Sequence, residues 1–349
     1  ARNAFRGGDE HASPGNCRDR FRGRPSGWAI ALPGSPGEKP RYQPRLFDEE
    51  LRRAGATLLT GSVTEAADVD AAMRGCDLVY HLASPFGDIL QPNRAYWDIE
   101  VNGTRNVLQA AQQLGVRRVI HCSTQGVHGI ITNPPGNEES PIAPRDYYCY
   151  SKVEGERVCQ QFIAKGMDIV IVRPTSVYGP GDIRGWLQLF RMVSKGWFLM
   201  IGSGSTLNHP VYVENLVDLF ELSGTSPSAK GRVYLAGDEE AVTLTQLVKN
   251  VGSATGAQVR VLRFPWYGGA WCAAAVVEVV CKAIGVKPPV FRRRLSWYKT
   301  NRSFRIERAK QELGYNPSVA LPEGLGHTAR WYRQAGYLAG LSPLTLLFG

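Results

Sequence analysis

Tyr148 and Lys152 stand four residues apart in the run YYCYSK, at the head of a segment with helical texture. Positions i and i+4 of a helix share one face. A lysine held there puts positive charge near the phenol, favours the phenolate and lowers a pKa that is ordinarily about 10. A phenol tuned in this way can donate and accept protons near neutral pH. Alone, the pair reads more readily as an ordinary aromatic and basic residue on a solvated helix face. The elements around it must decide between the two.

Those elements alternate. Residues 46–55 (LFDEELRRAG) read as a short helix, 56–61 (ATLLTG) as a strand and 63–75 as a helix. Residues 76–84 (CDLVYHLAS) form a buried apolar strand, and 99–115 an amphipathic helix ending in glycine. A strand over 116–124, a helix over 150–166 and a strand over 167–179 follow. The strands are continuous apolar runs, as expected when both faces are covered. The pattern predicts an α/β fold, a Rossmann-type doubly wound parallel sheet, with a smaller interleaved C-terminal lobe after Gly179.

Ligands of such sheets bind at the carboxyl ends of the strands. HLAS ends one strand in small residues, Ser123 and Thr124 end the next, and RPTSVYGPGD ends the last. Hydroxyl, phenol and ammonium therefore converge on one crevice.

Bulk properties narrow the class. The chain has 349 residues, 43% hydrophobic and 21% charged, an ordinary globular balance. Seven scattered cysteines without a C-x-x-C pair argue against a disulfide framework and suit a reducing cytoplasm. Six histidines without ligand spacing give no metal site. No signal peptide is read, and no apolar run of about 18 residues is uninterrupted. The segment from Gly268 is broken by Glu278 and Lys282, and reads as a buried or amphipathic helix that can touch a membrane surface. Half of the net charge of +10 lies in residues 1–45, so nucleic acid is not expected as a partner. That segment is rich in Gly, Pro and Arg and has no helical or alternating period.

From about Leu46 to Leu338 the chain resembles the extended short-chain dehydrogenase/reductase family, the NAD-dependent epimerases and dehydratases. The motifs that carry the likeness are CDLVYHLAS, VNGTRNVLQAA, HCSTQGVHG, YYCYSK with Glu156, and VRPTSVYGPGD. The apolar segment from Trp266 to Val280 and the tail RRRLSWYKTNRSFRIERAKQELGYNPSVALPEGL are most similar to the 3β-hydroxysteroid dehydrogenase branch.

The resemblance implies NAD or NADP as cofactor. It makes Tyr148 the acid/base, with Lys152 its partner and holder of the nicotinamide ribose. Thr124 falls on the family's Ser/Thr that bonds the reacting oxygen, and Asn102 on the Asn of its N-x-G-T pattern. Leu82 and Ala83 would pass the cofactor's phosphates and ribose, and Pro174 and Thr175 its nicotinamide. A homodimer is a further expectation from the likeness; the cysteine usage places the chain in the cytoplasm, with contact to a membrane surface through the apolar helix left open. The implied reaction interconverts a secondary alcohol and a ketone on a hydrophobic substrate of sterol or 3-oxo acyl type. Two rivals stay open, a nucleotide-sugar epimerase using Arg191, Arg260 and Arg292 to Arg294, and a non-catalytic or sensing relative.

Two departures qualify the likeness. Gly61-Ser62 stands where the family has Gly-Asp, so adenine contact passes to the Val63 backbone. The family also opens with V-T-G-x-x-G-x-x-G, whose glycines let backbone close on a pyrophosphate at a helix N-terminus. Here GNCRDRFRGRPSG, residues 15–27, takes that place. Read one base later, the coding sequence implied by His11 to Gly27 permits Met-Arg-Val-Leu-Val-Thr-Ala-Ala-Thr-Gly-Phe-Val-Gly-Gly-His-Leu-Val, the missing strand and loop. The expected organisation is thus an irregular, out-of-frame segment over 1–45, a dinucleotide-binding domain over 46–180 that is incomplete at its start, and a substrate lobe over 181–349.

Overall fold

A computed structural model describes residues 29–32, 47–85, 92–283, 295 and 298–338. Chain order begins with β1 (Ala29–Leu32), α1 (Asp48–Arg53), β2 (Thr57–Thr60), α2 (Ala66–Met73) and β3 (Leu78–His81). Next come α3 (Asn93–Trp97), a π-helical stretch (Asp98–Gly103) and α4 (Thr104–Gln113). β4 (Arg118–Cys122), α5 (Tyr147–Ile163), β5 (Ile169–Pro174) and β6 (Ser176–Tyr178) complete the first half. The rest holds α6 (Leu187–Ser194), β7 (Trp197–Ile201), β8 (Leu207–Asn208), β9 (Pro210–Tyr212), α7 (Val213–Thr225) and β10 (Val233–Ala236). It ends with β11 (Val242–Thr243), α8 (Leu244–Thr255), β12 (Arg260–Phe264), α9 (Tyr267–Ala283), α10 (Glu307–Leu313) and α11 (Leu321–Gln334).

The central sheet is parallel, in the order β10-β5-β4-β3. Successive apolar residues of β4 (Val119, Ile120) and β5 (Ile169 to Val172) point to opposite faces of the sheet, and both faces are covered. Val119, Ile169 and Ile171 face Val107 and Leu108 of α4 and Val158 and Phe162 of α5. Ile120, Val170 and Val172 face Leu216 and Leu219 of α7 and Ala309 of α10. Each such aliphatic side chain contributes about 1.5–3 kcal/mol when fully buried. The two-layer covering is what sequence alternation predicts for a doubly wound α/β sheet.

β1 and β2 form a separate parallel pair, with Ala29 opposite Thr57. Regular structure at 29–32 departs from the irregular reading of residues 1–45; the remainder of that segment, including the stretch from His11 to Gly27, lies outside the described residues. Among the described residues, β3 pairs with β4 alone.

The later part builds its own core, from Tyr178, Trp186, Phe190, Phe198, Met200, Tyr212, Leu247, Val251, Leu325 and Tyr332. β10, α7 and α10 return from it to the central sheet. Among the described residues no helix is long and apolar enough to cross a membrane.

Candidate active site

The start of α5 is fixed by Asp146, whose side chain accepts from the backbone N–H of Cys149 at 2.8 Å. This N-cap satisfies one of the amides left open at a helix start. It places Tyr148 in the first turn and Lys152 one turn later, on the same face. Thr124 follows β4 in extended conformation and caps the short 3-10 turn Gln125–His128, accepting from Gly126 N at 3.1 Å. That leaves its O–H as a donor. The turn packs directly on α5: a Cβ on Gly126 would lie 2.6 Å from Cys149 Sγ and 3.4 Å from Thr124 Oγ1. The threonine hydroxyl and the first turn of the tyrosine helix are therefore neighbours.

Lys152 reaches under the end of β4. Its Nζ donates to Cys122 O at 2.9 Å and lies 2.8 Å from Glu100 Oε2. Lysine is 2% exposed and glutamate 0%. Glu100 also accepts from Ser84 Oγ at 2.6 Å. Around this pair stand two buried histidines, His81 and His121, which are register partners on β3 and β4 with ring centroids 5.3 Å apart. Thr104 Oγ1 donates to Glu100 O at 2.6 Å, so His81 Nε2, 3.0 Å away, is the donor to that hydroxyl. Burial, then the Lys152 charge, lowers the His81 pKa to about 3. Burial likewise holds His121 well below the ordinary imidazole range. Both rings are neutral.

The phenol departs from expectation. Lys152 does pull the Tyr148 pKa down, but burial, the largest influence, pushes it up, and the Glu100 carboxylate adds to the rise. The net direction is above the ordinary tyrosine value. Without ligand, Tyr148 holds its proton because desolvation disfavours the phenolate and Glu100 offsets part of the ammonium's field.

A second buried network braces the turn after β4. Arg173 of β5 donates to Glu156 through Nε at 2.9 Å and Nη2 at 2.6 Å. Ser123 Oγ donates to the same carboxylate. Arg173 Nη1 donates to His128 Nε2 at 3.1 Å, so His128 Nδ1 carries the hydrogen offered to Ser140 O at 2.8 Å.

A model of the NAD dependent epimerase/dehydratase family matches residues 38–237. The chain belongs to that family. It is 27% identical to N-acetyl-alpha-D-glucosaminyl-diphospho-ditrans,octacis-undecaprenol 4-epimerase of Escherichia coli O157:H7, over 78% of this chain and 82% of that protein. It is 28% identical to 3beta-hydroxysteroid-dehydrogenase/decarboxylase isoform 2 of Arabidopsis thaliana, over 81% of this chain and 53% of that one. Its fold matches UDP-glucose 4-epimerase of Thermotoga maritima with TM-score 0.67 and 21% identity, covering 88% and 91% of the two chains.

The NAD of the epimerase/dehydratase family would, on the expectation from sequence, meet the residues at the end of β5 with its nicotinamide. Pro174 ends β5, and Thr175, buried beside it, keeps an Oγ1 without a hydrogen-bond partner. Lys152 has three donors, and two are met by Cys122 O and Glu100. Leu82 and Ala83 follow β3, with Leu82 54% exposed. At the adenine end, the Val63 carbonyl is taken by Asn106 Nδ2 at 3.0 Å. The nearby Asp68 carboxylate is used within the chain, its Oδ2 accepting from Ser62 N at 2.9 Å. The segment expected to cradle the pyrophosphate lies outside the described residues.

Asn102 is not brought to the cluster. It is exposed and donates to Asp98 Oδ1 at 3.1 Å. Residues two apart on a helix point to opposite sides, and Glu100 takes the inward one. Sequence reasoning passed over Glu100. Its signal was a charge in line with Thr104, Leu108 and Ala111, the buried stripe of that helix. Among the described residues no group of His, Cys, Asp and Glu is placed to hold a metal ion.

Proposed function

We propose that the protein, with its reading frame restored, interconverts a secondary alcohol and a ketone on a hydrophobic substrate of sterol or 3-oxo acyl type, with NAD or NADP. The observation that carries this reading is the packing of the Thr124 turn against the first turn of the helix that bears Tyr148 and Lys152. Thr124 and Tyr148 hold the substrate oxygen, and Tyr148 gives or takes its proton. Lys152 keeps positive charge beside the phenol and holds the ribose. The bound nicotinamide supplies or accepts the hydride. Thr175 Oγ1 and the backbone at Leu82, Ala83 and Val63 are the further cofactor contacts in this reading; Asn102 is left out of it.

Apolar surface in the later part supports a hydrophobic substrate. Trp266 is 70% exposed, and Leu262, Phe264, Trp271, Val276 and Val279 are exposed near it in sequence. The same surface suits peripheral contact with a membrane, which vesicle flotation tests. Pairing of two copies through α5 is tested by sedimentation. The epimerase alternative draws on the sugar-nucleotide relatives. Of its candidate arginines, Arg191 is engaged by Tyr337 O at 3.3 Å, and Arg292 to Arg294 lie outside the described residues.

The frame reading of the N-terminal segment belongs to the proposal. This polypeptide binds NAD(H) and NADP(H) weakly or not at all, and one with the frame restored binds them; calorimetric titration compares the two. The restored protein is then offered a steroid alcohol, a 3-oxo acyl compound and a UDP-sugar while the reduced cofactor is followed optically. Turnover of the hydrophobic compounds, cut about 10²–10⁴-fold by Tyr148→Phe, is expected. Turnover of the UDP-sugar alone moves the assignment to an epimerase. No turnover of anything leaves a non-catalytic relative.

A further inference from the structure

The least exposed charges of the site are Glu100 and Lys152, 2.8 Å apart at 0% and 2% exposure. Taking a lysine out of water favours its neutral form, by several pH units where burial is complete. Among the described residues the groups that interact with this ammonium can be named, beginning with the Cys159 thiol of α5, which burial keeps protonated. From β4 come the Cys122 carbonyl and thiol and His121, from β3 His81, from α5 Tyr148, and from the π-helical stretch Glu100. Burial keeps both histidines uncharged and raises the Cys122 thiol to about 11. Tyr148 also keeps its proton. Glu100 is therefore the group of this set that brings a full negative charge to the ammonium.

The backbone is arranged to deliver that charge. Glu100 lies in the π-helical stretch between α3 and α4, whose wider turn locally shifts the direction in which side chains leave the helix. Its carbonyl is seated against Gly155 of α5, where a Cβ would come within 2.7 Å. Its carboxylate is oriented from the other side by Ser84 Oγ. Two helices and the end of β3 thus converge on one carboxylate that has no exposure to solvent.

We propose that Glu100 is the counter-ion that keeps the Lys152 ammonium protonated and aimed along the face of α5 that carries Tyr148. This is a positioning role, and it rests on the proposed reading of Lys152. The direction of the Lys152 titration agrees, since the Glu100 carboxylate outweighs burial and raises it. The proposal adds a residue that the Tyr, Lys and Thr pattern does not contain, and it gives Ser84 a part as orienter.

The test needs no cofactor. Lysine labelled with ¹³C and ¹⁵N is titrated by NMR in the unliganded chain, with Lys152 assigned from the signal lost in Lys152→Met. The parent protein is expected to keep Lys152 charged throughout pH 6–9. Glu100→Gln is expected to lower the Lys152 midpoint by about two pH units or more, while Glu100→Asp retains most of the parent behaviour. An unchanged midpoint in a folded Glu100→Gln overturns the proposal. Should Glu100→Gln not fold, the reciprocal measurement decides. Lys152→Met is expected to lower the urea midpoint, because it leaves Glu100 buried without its cation, and Lys152→Met combined with Glu100→Gln to recover much of that loss; a double variant no more stable than Lys152→Met overturns the pairing. These outcomes are independent of the catalytic reading, which fails separately if Tyr148→Phe retains full turnover.

Discussion

Gly155 is the point where α5 touches the stretch that carries Glu100, and replacing it by alanine tests that contact. A Cβ there would lie 2.7 Å from Glu100 O and 3.7 Å from His121 Cε1. Ordinary carbon–oxygen contacts begin near ~3.3 Å, so the helices must part by about 0.6 Å. The obstacle is backbone, and both sides are pinned: α5 by Val158, Cys159 and Phe162, and α4 by Val107 and Leu108. Overpacking of this kind costs about 1–3 kcal/mol, and with no flexible neighbour the upper half of that range applies. Alanine recovers about 1 kcal/mol in helix propensity, so Gly155→Ala loses about 1–2 kcal/mol net. Gly326, inside α11, is the control, because a Cβ there meets nothing within 4 Å. Gly326→Ala should gain about 1 kcal/mol by the same propensity argument. Denaturant unfolding followed by near-ultraviolet circular dichroism compares the two. Equal stability of the two variants would refute the reasoning.

Other perturbations follow from the buried polar groups. Neither ring nitrogen of His121 has a hydrogen-bond partner among the described residues. His121→Leu should therefore raise stability at pH 7 by about 1–3 kcal/mol, the cost of an unsatisfied buried polar group. His121 and His81 have folded pKa values below the ordinary 6.5. The unfolded chain therefore takes up these protons first, and stability is lost as pH falls below 6.5, by up to about 1.4 kcal/mol per pH unit for each histidine. Urea midpoints between pH 7 and 5 should fall less steeply in His121→Leu than in the parent, and identical slopes would contradict the assignment. Arg173→Met should cost about 3–5 kcal/mol, because it leaves the buried Glu156 carboxylate without its cation. Arg173→Met combined with Glu156→Met should recover much of that loss, and a double variant no better than the single one would show that the ion pair is not the cause.

Much of the fold can be read from the residues because its strands are short apolar runs bounded by glycine or by strong helix patterns. Residues 56–61, 76–84, 116–124 and 167–179 each contain an observed strand. Tyr148 and Lys152 share a helix face by spacing, and a hydroxyl at the end of β4 follows from the strand pattern, with Thr124 singled out by the family likeness. What could not be read depends on geometry finer than a period. The helix expected over 99–115 begins at Asn93 and passes through a π-helical stretch, which apolar periodicity does not distinguish from regular helix. Asn102 drew attention as the polar residue of a motif, yet the inward position belongs to Glu100, two residues earlier. The pairing of Ala29–Leu32 with β2 is long-range, and a four-residue run without alternation does not announce it. The direction of the phenol's titration was missed for a related reason. The sequence shows the attracting lysine but neither the depth of burial nor the carboxylate behind it.

That carboxylate bears on how the proposed chemistry is poised. An ammonium beside a phenol favours the phenolate in proportion to its uncompensated charge. Here one face of Lys152 is matched by Glu100 at 2.8 Å, and the phenol is desolvated as well. The resting site accordingly stores its proton on Tyr148. Reduction of a ketone needs that state, because the oxygen acquires the proton as hydride reaches the carbon. Oxidation of an alcohol needs the opposite state, so the proton must first leave a desolvated hydroxyl whose cationic neighbour already has two of its three donors engaged. A site that needed a standing phenolate would be better served by a neutral residue at position 100. The glutamate instead trades phenolate stability for a lysine that stays charged out of water, and Thr124, with its O–H still available, supplies a second donor to an oxygen that is gaining negative charge.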